Sequence, residues 1–491
     1  MEKTNYIGEY RHLLKLGLPI TVAQGGFTLQ GMADTLMLGQ HSPSELAAAG
    51  FANSLLIMAQ LLGMGFCMAA VPTIGKLYGQ RKHQDIVSEL KSSLLADILQ
   101  GIFVCLLMYA SYAALPLMGV DTGLLPLIRK YMLILIPSLL VMNVCYGMKN
   151  FYDCLTDTRT TMWIVLAGNV WNIVCNWLLI FGNLGFPEMG VAGAAWATVS
   201  SRILMLMLYV ACFLLNKRYS IYRTLWKTAV VTRSSLLRHN RLGWPIALQL
   251  TMELAAFSGV ALALGRGGIS WDATSALAAH QVGCQVSSFI YMFYIGIGSA
   301  VSIRVAHYHG LGGWRGIRLS AHAGYHLMIV IGIIATSLVF IFRRQITGIF
   351  VSDDDPALFA AISATVVAMV WPMIFYQVGD GMQTCYVNAL RGIGDVKKLM
   401  KYSFFCYGIV TIPLSYLFGI IMANAIEHRP EKSNEISALL VMGISGGGVL
   451  PPLMGVITDA TGTQWAALLT IAAVWLYLFW LIRRMYLRKS L

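Results

Sequence analysis

Four carboxylates stand inside stretches of chain that are otherwise apolar: Asp34 in GMADT, Asp97 in LLADILQ, Glu253 in LTMELAAF and Asp380 in YQVGDGM. A charge at the centre of a membrane-buried helix costs about 3 kcal/mol or more, so an acid in such a place is a candidate for function. Burial raises the proton affinity of a carboxyl group, and a nearby like charge raises it further. Such a group holds a proton or small cation from one side of a membrane and releases it when a competing cation arrives. Glu253 and Asp380 are the foremost candidates for this chemistry. Asp34 lies late in its span, where a helix-end residue facing water is the competing reading. Asp97, four residues beyond Ser93, also reads as a side chain that snorkels or pairs. Asn169, Asn172 and Asn176 fall in another apolar stretch. Asn172 and Asn176 are four apart and share a helical face, which Thr198 of the next stretch could approach. Amide hydrogen bonds that only glue helices together are the alternative.

Other patterns carry less. His322 and His326 have the helical spacing of a metal pair, yet no third ligand is evident nearby. Asp353-Asp354-Asp355-Pro356 is expected to cap a helix start. Gly446-Gly447-Gly448 has no Lys-Ser/Thr after it and is expected to pack helices. No nucleophile–base set or metal-ligand cluster is seen to converge at one depth, so the chain is not expected to be an enzyme.

The elements that must position these acids are membrane spans. Of 491 residues, 57% are hydrophobic and 12% charged, about half the charged share of a soluble domain. Apolar runs long enough to cross about 30 Å of hydrocarbon recur throughout. They fall near 13–37, 46–77, 87–118, 124–150, 160–182, 190–216, 243–265, 276–306, 317–342, 357–388 and 399–421, with two more at 436–457 and 465–482. The net charge of +13 does not indicate nucleic acid, because Lys and Arg cluster in short loops. With the N-terminus in the cytoplasm, Lys217, Arg218, Arg223, Lys227, Arg233, Arg238 and Arg241 all face inside, while the outer loops through residue 421 hold only Arg129, Lys130, Arg266, Arg343 and Arg344. That asymmetry orients the chain. The nine cysteines form no CxxC pair, so no disulfide framework is indicated. The N-terminus lacks a cleavage site and reads as its own insertion signal.

The chain repeats itself. Leu16-Gly17-Leu18-Pro19-Ile20 returns as Leu242-Gly243-Trp244-Pro245-Ile246. Leu46-Ala47-Ala48 returns as Leu277-Ala278-Ala279, and Gly65, Ala69 and Gly79 as Gly296, Ala300 and Gly310. An even number of spans separates the copies, so the repeat is parallel, as in transporters that bind substrate between two bundles. The expected fold is all-α and membrane-integral: two six-helix bundles with 12–13 spans and an atypical C-terminal end. The expected divisions are an N-terminal lobe (1–216), a basic cytoplasmic linker (217–241), a C-terminal lobe of five spans (242–421) and a tail (422–491).

Residues 1 to about 421 resemble the multidrug and toxic compound extrusion (MATE) family, on its NorM-like branch. The matching passages are the opening Leu-Pro with Asp34-Thr35, LAAAGFANS (46–54), GNVWNIVCNWLLIFG (168–182), GVAGAAWAT (190–198), LGWPIALQLTMELAAF (242–257), LAAHQV (277–282) and NALRGIGDVK (388–397). The resemblance implies a V-shaped pair of lobes in a bacterial inner membrane. It also implies export of organic cations in exchange for H⁺ or Na⁺, with no other cofactor. Carried over by position, Glu253 and Asp380 match the family's essential C-lobe acids and are where a coupling Na⁺ would sit. Tyr376 and Phe257 lie one turn from them, and Gln281 belongs to the LAAHQV run. Asp34 matches the N-lobe aspartate, and Asn172, Asn176 and Thr198 complete the candidate set. Asn176 stands where some branches have a second aspartate, which weakens the case for a carboxylate-rich N-lobe cation site. Small cationic molecules and lipid are the expected partners, with the chain acting as a monomer.

The tail resembles something else. Residues 425–485 look like the last two helices of a fucose-permease-like major facilitator transporter, and two further spans would place Arg483, Arg484, Arg488 and Lys489 outside, against the charge rule. Either one tail segment does not cross, or the chain is a fusion or a misjoined frame. Sugar/proton symport rests on this tail alone. A flippase for a lipid-linked or amphipathic substrate is the other transport reading. It would be expected to line its cavity with Lys and Arg, whereas Arg202 is the one mid-span cation.

Overall fold

The computed structural model describes residues 6–118, 121–265, 273–343, 345–350 and 356–404. The tail, Gly446–Gly448 and the Asp353–Asp355 cluster lie outside them. Among the described residues the chain is helical, without strands. The helices are α1 (Tyr6–His41), α2 (Pro43–Cys67), α3 (Ala70–Gly79), α4 (His83–Ala114), α5 (Leu125–Cys154), α6 (Thr158–Phe181), α7 (Val191–Leu215), α8 (Ser220–Trp226), α9 (Arg233–Gly265), α10 (Ala273–Gly310), α11 (Trp314–Ile341), α12 (Ile346–Phe350), α13 (Pro356–Ile393) and α14 (Val396–Ser403). Seven described segments are long and apolar enough to cross a membrane, from Pro43–Gly79 to Trp314–Ile341. Helices are the solution because lipid offers no partner to a backbone N–H or C=O. Pro19, Pro137 and Pro245 sit inside α1, α5 and α9. Asp157 caps α6 by accepting from the Thr160 amide. Between α6 and α7 the chain turns through Gly190 at φ 54°, where a Cβ would lie 2.4 Å from a Glu45 carboxylate oxygen.

Apolar side chains cover the outside as well as the core. On α4, Leu99, Phe103 and Leu106 are exposed while Val104 and Met108 are buried. Trp163 of α6 is 65% exposed. In water this would be an aggregating surface; in a bilayer it is the lipid-facing wall.

The chain forms two compact units. One comprises residues 1–251, 289–331 and 380–401, the other 252–288, 332–379 and 402–491. In the second unit, Val282, Val286, Val339, Val366 and Val370 surround a small apolar cavity.

In the first unit the sequence repeat becomes a reciprocal packing. A Cβ on Gly17 would meet Ile297 at 2.8 Å, and one on its counterpart Gly243 would meet Phe66 at 2.8 Å; Phe66 and Ile297 each follow a paired glycine, Gly65 and Gly296. A Cβ on Gly65 would strike Ala247 Cα at 2.7 Å, and one on Gly296 would strike Thr21. Gly79 lies against the His307 carbonyl and Gly310 against the Lys76 carbonyl, with room for a side chain at neither. Each half thus uses the same glycines to press on the same elements of the other half, as a parallel repeat requires.

Polar ties accompany these contacts. Arg304 of α10 donates from Nε and Nη2 to the two Glu9 carboxylate oxygens, at 2.9 and 2.7 Å, and the Tyr308 hydroxyl donates to Glu9 Oε2 at 3.0 Å. Burial alone would push the Glu9 carboxyl up, but the Arg304 fork and Tyr308 hold it below its ordinary value. Arg391 donates to Gln249 at 3.0 Å. His326 Nδ1 is hydrogen-bonded to the Tyr10 hydroxyl at 2.8 Å, and no group of three or more potential metal ligands gathers among the described residues.

Candidate functional site

The first six long helices build a polar string inside an apolar bundle. α1 and α6 pack along each other, and Gly26 of α1 makes that possible: a Cβ there would lie 2.4 Å from the Asn169 amide nitrogen. The approach sets Asp34 against α6, where Asn176 Nδ2 donates to the Asp34 carboxylate. The same amide donates to Asn172 Oδ1 at 3.2 Å, and Asn172 Nδ2 donates to Thr198 Oγ1 of α7 at 3.4 Å. Asn172 and Asn176 are fully buried, Asn169 and Thr198 nearly so, and Asp34 half-buried. The Asn176 Oδ1 oxygen and both polar atoms of the Asn169 amide have no hydrogen-bond partner. Buried amides normally satisfy these groups, so the cluster retains spare acceptor oxygens.

Around this string lie residues that the sequence did not single out as a group. Tyr131 of α5 donates to Asn53 Oδ1 of α2 at 3.3 Å, and Gln60 of α2 donates to the Tyr146 hydroxyl at 3.0 Å. Arg202 of α7 donates from Nη1 to Ser138 Oγ at 2.7 Å. The signal that could have found them is polar residues recurring at helical spacing on α2 and α5, but it is diluted by apolar neighbours.

The other candidates divide between the units. Glu253, Gln281 and Tyr376 belong to the second, Asp380 to the first. Glu253 and Tyr376 are half-buried and Gln281 is exposed, while the Phe257 side chain lies outside the described residues. Asp380 is 8% exposed on α13. Tyr294 of α10 lies within its electrostatic reach, and the Tyr294 ring comes so near Gly381 that a Cβ would be 2.9 Å from it. Tyr294 had no motif to mark it. Asp97 takes the pairing role rather than joining the string: Asp97 Oδ1 meets His239 Nε2 of α9 at 3.0 Å, both side chains fully buried.

A half-buried acid, three amides and a hydroxyl inside an apolar bundle can bind and release a small cation or a proton. The MatE family model matches residues 19–178 and 245–417, spanning both repeats and most of the chain. The chain belongs to the MATE family.

Its curated MATE relatives include the multidrug resistance protein NorM of Vibrio cholerae, 27% identical over 445 residues, which cover 91% of this chain and 94% of that one. The NorM of Aliivibrio fischeri is 29% identical over 418 residues, 84% of this chain and 88% of its own. Among solved structures, an outward-facing multidrug resistance MATE transporter superposes with a TM-score of 0.76 at 16% identity, covering 96% of this chain and 98% of its own. A eukaryotic MATE transporter gives 0.75 at 18% identity, covering 96% and 100%. The protein is a multi-pass integral membrane protein with the MATE fold.

Proposed function

We propose that this chain is a multidrug efflux transporter of the bacterial inner membrane. On this reading it exports organic cations in exchange for H⁺ or Na⁺, with its N-terminus in the cytoplasm and no catalytic chemistry. The observation that carries the reading is the Asp34–Asn176–Asn172–Thr198 string, a carboxylate tied into buried amides within otherwise apolar helices. Support comes from the relatives, whose names are those of multidrug resistance proteins, and from Glu253 and Asp380 in apolar segments of the second repeat. Glu253 and Asp380 exchange the coupling ion; Asp34 and its amides bind cationic cargo or ion; Tyr376, Phe257 and Gln281 serve substrate or ion binding. The lobes 1–216 and 242–421 move as two bodies about the linker 217–241. The reciprocal glycine contacts are places where such bodies separate without leaving voids of side-chain size.

Dye efflux from everted vesicles, driven in turn by an imposed proton gradient and an imposed sodium gradient, tests this directly. Export under one of them supports the exchange. Export unaffected by either gradient would remove coupled antiport.

A further inference from the structure

The Asp34 string reaches Thr198 of α7, and a cation supplied by the protein stands one turn further along that helix. Thr198, its last hydroxyl, is followed four residues later on the same face of α7 by Arg202. The guanidinium is pinned: Nη1 donates to Ser138 Oγ at 2.7 Å, and that hydroxyl donates to the Leu135 carbonyl at 2.7 Å. Ser138 is itself 2% exposed and follows Pro137 within α5. Every group hydrogen-bonded to Asp34 or passing that bond onward is neutral: Asn176, Asn172 and Thr198. Arg202 supplies a positive charge that acts on Asp34. A fixed charge in a poorly screened interior acts over several ångströms.

We propose that Arg202 is the tethered counter-cation of Asp34, standing in for an exchangeable ion, so that the N-lobe cluster selects against alkali cations. This rests on the reading of Asp34 as a cation-binding carboxylate and refines it. An incoming Na⁺ would find the carboxylate already balanced and would be repelled by a guanidinium that Ser138 prevents from swinging away. The oxygens it would need are present: Asp34 itself, Thr198 Oγ1 and the unpartnered Asn176 Oδ1 and Asn169 Oδ1. The cluster therefore offers the ligand types of a sodium site and one charge too many. Removing that charge should expose the site. Arg is suited to the role because it stays charged when desolvated and its planar fork is held by few bonds.

The test uses the full-length protein in detergent, with thermal unfolding measured in NaCl and in choline chloride at equal ionic strength. Wild type and Asp34→Asn should show the same sodium response, since any response they share comes from other acids. Arg202→Gln should gain an additional stabilisation by sodium, on the order of 3 °C at about a hundred times the dissociation constant. The double variant Arg202→Gln/Asp34→Asn should lose it. Arg202→Lys keeps the charge and should respond as wild type. A sodium response in wild type that Asp34→Asn abolishes overturns the proposal, and this comparison decides it even if Arg202→Gln does not fold. So does a folded Arg202→Gln with no gain, or an Arg202→Lys that gains as much as Gln. Failure of the underlying reading looks different: Asp34→Asn would then export every tested dye at the wild-type rate.

Discussion

Replacing Glu9 should loosen the hold of α1 on α10, by an amount the geometry allows to be bounded. An exposed ion pair contributes about 0.2–1 kcal/mol, whereas breaking a buried one costs about 3–5 kcal/mol. Glu9 has 3% and Arg304 19% of the side chain exposed, so the pair lies nearer the buried limit. Glu9→Gln leaves an amide oxygen that still accepts one bond from Arg304, and Tyr308 remains; a loss of about 2 kcal/mol is expected. Arg304→Met strands the Glu9 carboxylate with only Tyr308 as donor and should cost about 3 kcal/mol. The two changes act on one interaction, so the double variant should fall short of their sum by about 2 kcal/mol. Reversible unfolding in mixed micelles measures all four corners. The pH dependence has a definite sign. The Glu9 carboxyl is held below its ordinary value of 4.5, so the contribution is complete above that value and is lost as pH falls through the lower folded one. The gap between wild type and Glu9→Gln should therefore be flat from about pH 5.5 to 8. A coupling below about 0.5 kcal/mol in well-folded variants, or a gap that grows steadily across that range, would refute the reasoning.

Three further outcomes are expected. Glu253→Gln and Asp380→Asn should each abolish coupled dye export with membrane insertion intact; wild-type efflux in both would remove them from the ion pathway. Gly79→Ala and Gly310→Ala, whose new methyls would lie 2.3 and 2.1 Å from backbone oxygens, should each cost about 1–3 kcal/mol, while Gly31→Ala, with nothing within 4 Å, should be silent by the same unfolding measurement. His41 forms ion pairs with Glu188 at 2.9 Å and Glu45 at 2.8 Å, and the bond to Glu188 raises it above its ordinary 6.5; its contribution is full below that value and lost as pH rises through the folded one, so thermal midpoints should fall from pH 6 to 9 in wild type and less in His41→Gln.

Much of this was legible in the residues, because a bilayer imposes strong local requirements. A span must be apolar over its whole length, so the helices announce themselves, and an acid within one is conspicuous. Glycines repeat where backbones approach, so the parallel repeat could be read from Gly17, Gly65 and Gly79 and their counterparts. The MATE assignment rests on the same local passages. Pairing was not legible in this way. Asp34 and Asn176 are 142 residues apart, and Glu9 and Arg304 are 295 apart; which acid meets which donor depends on how each helix is rotated about its axis. Hydropathy does not encode that rotation, because lipid-facing and core-facing apolar residues are chemically alike: Phe103 is exposed and Val104 beside it is buried. Hence the sequence reads Asp97 as a side chain that snorkels or pairs without naming its partner, and only the packing of α9 brings His239 against it. Arg202 likewise reads in the sequence as a lone mid-span cation, and only the packing of α5 against α7 ties it to Ser138, one turn beyond the Thr198 that closes the Asp34 string.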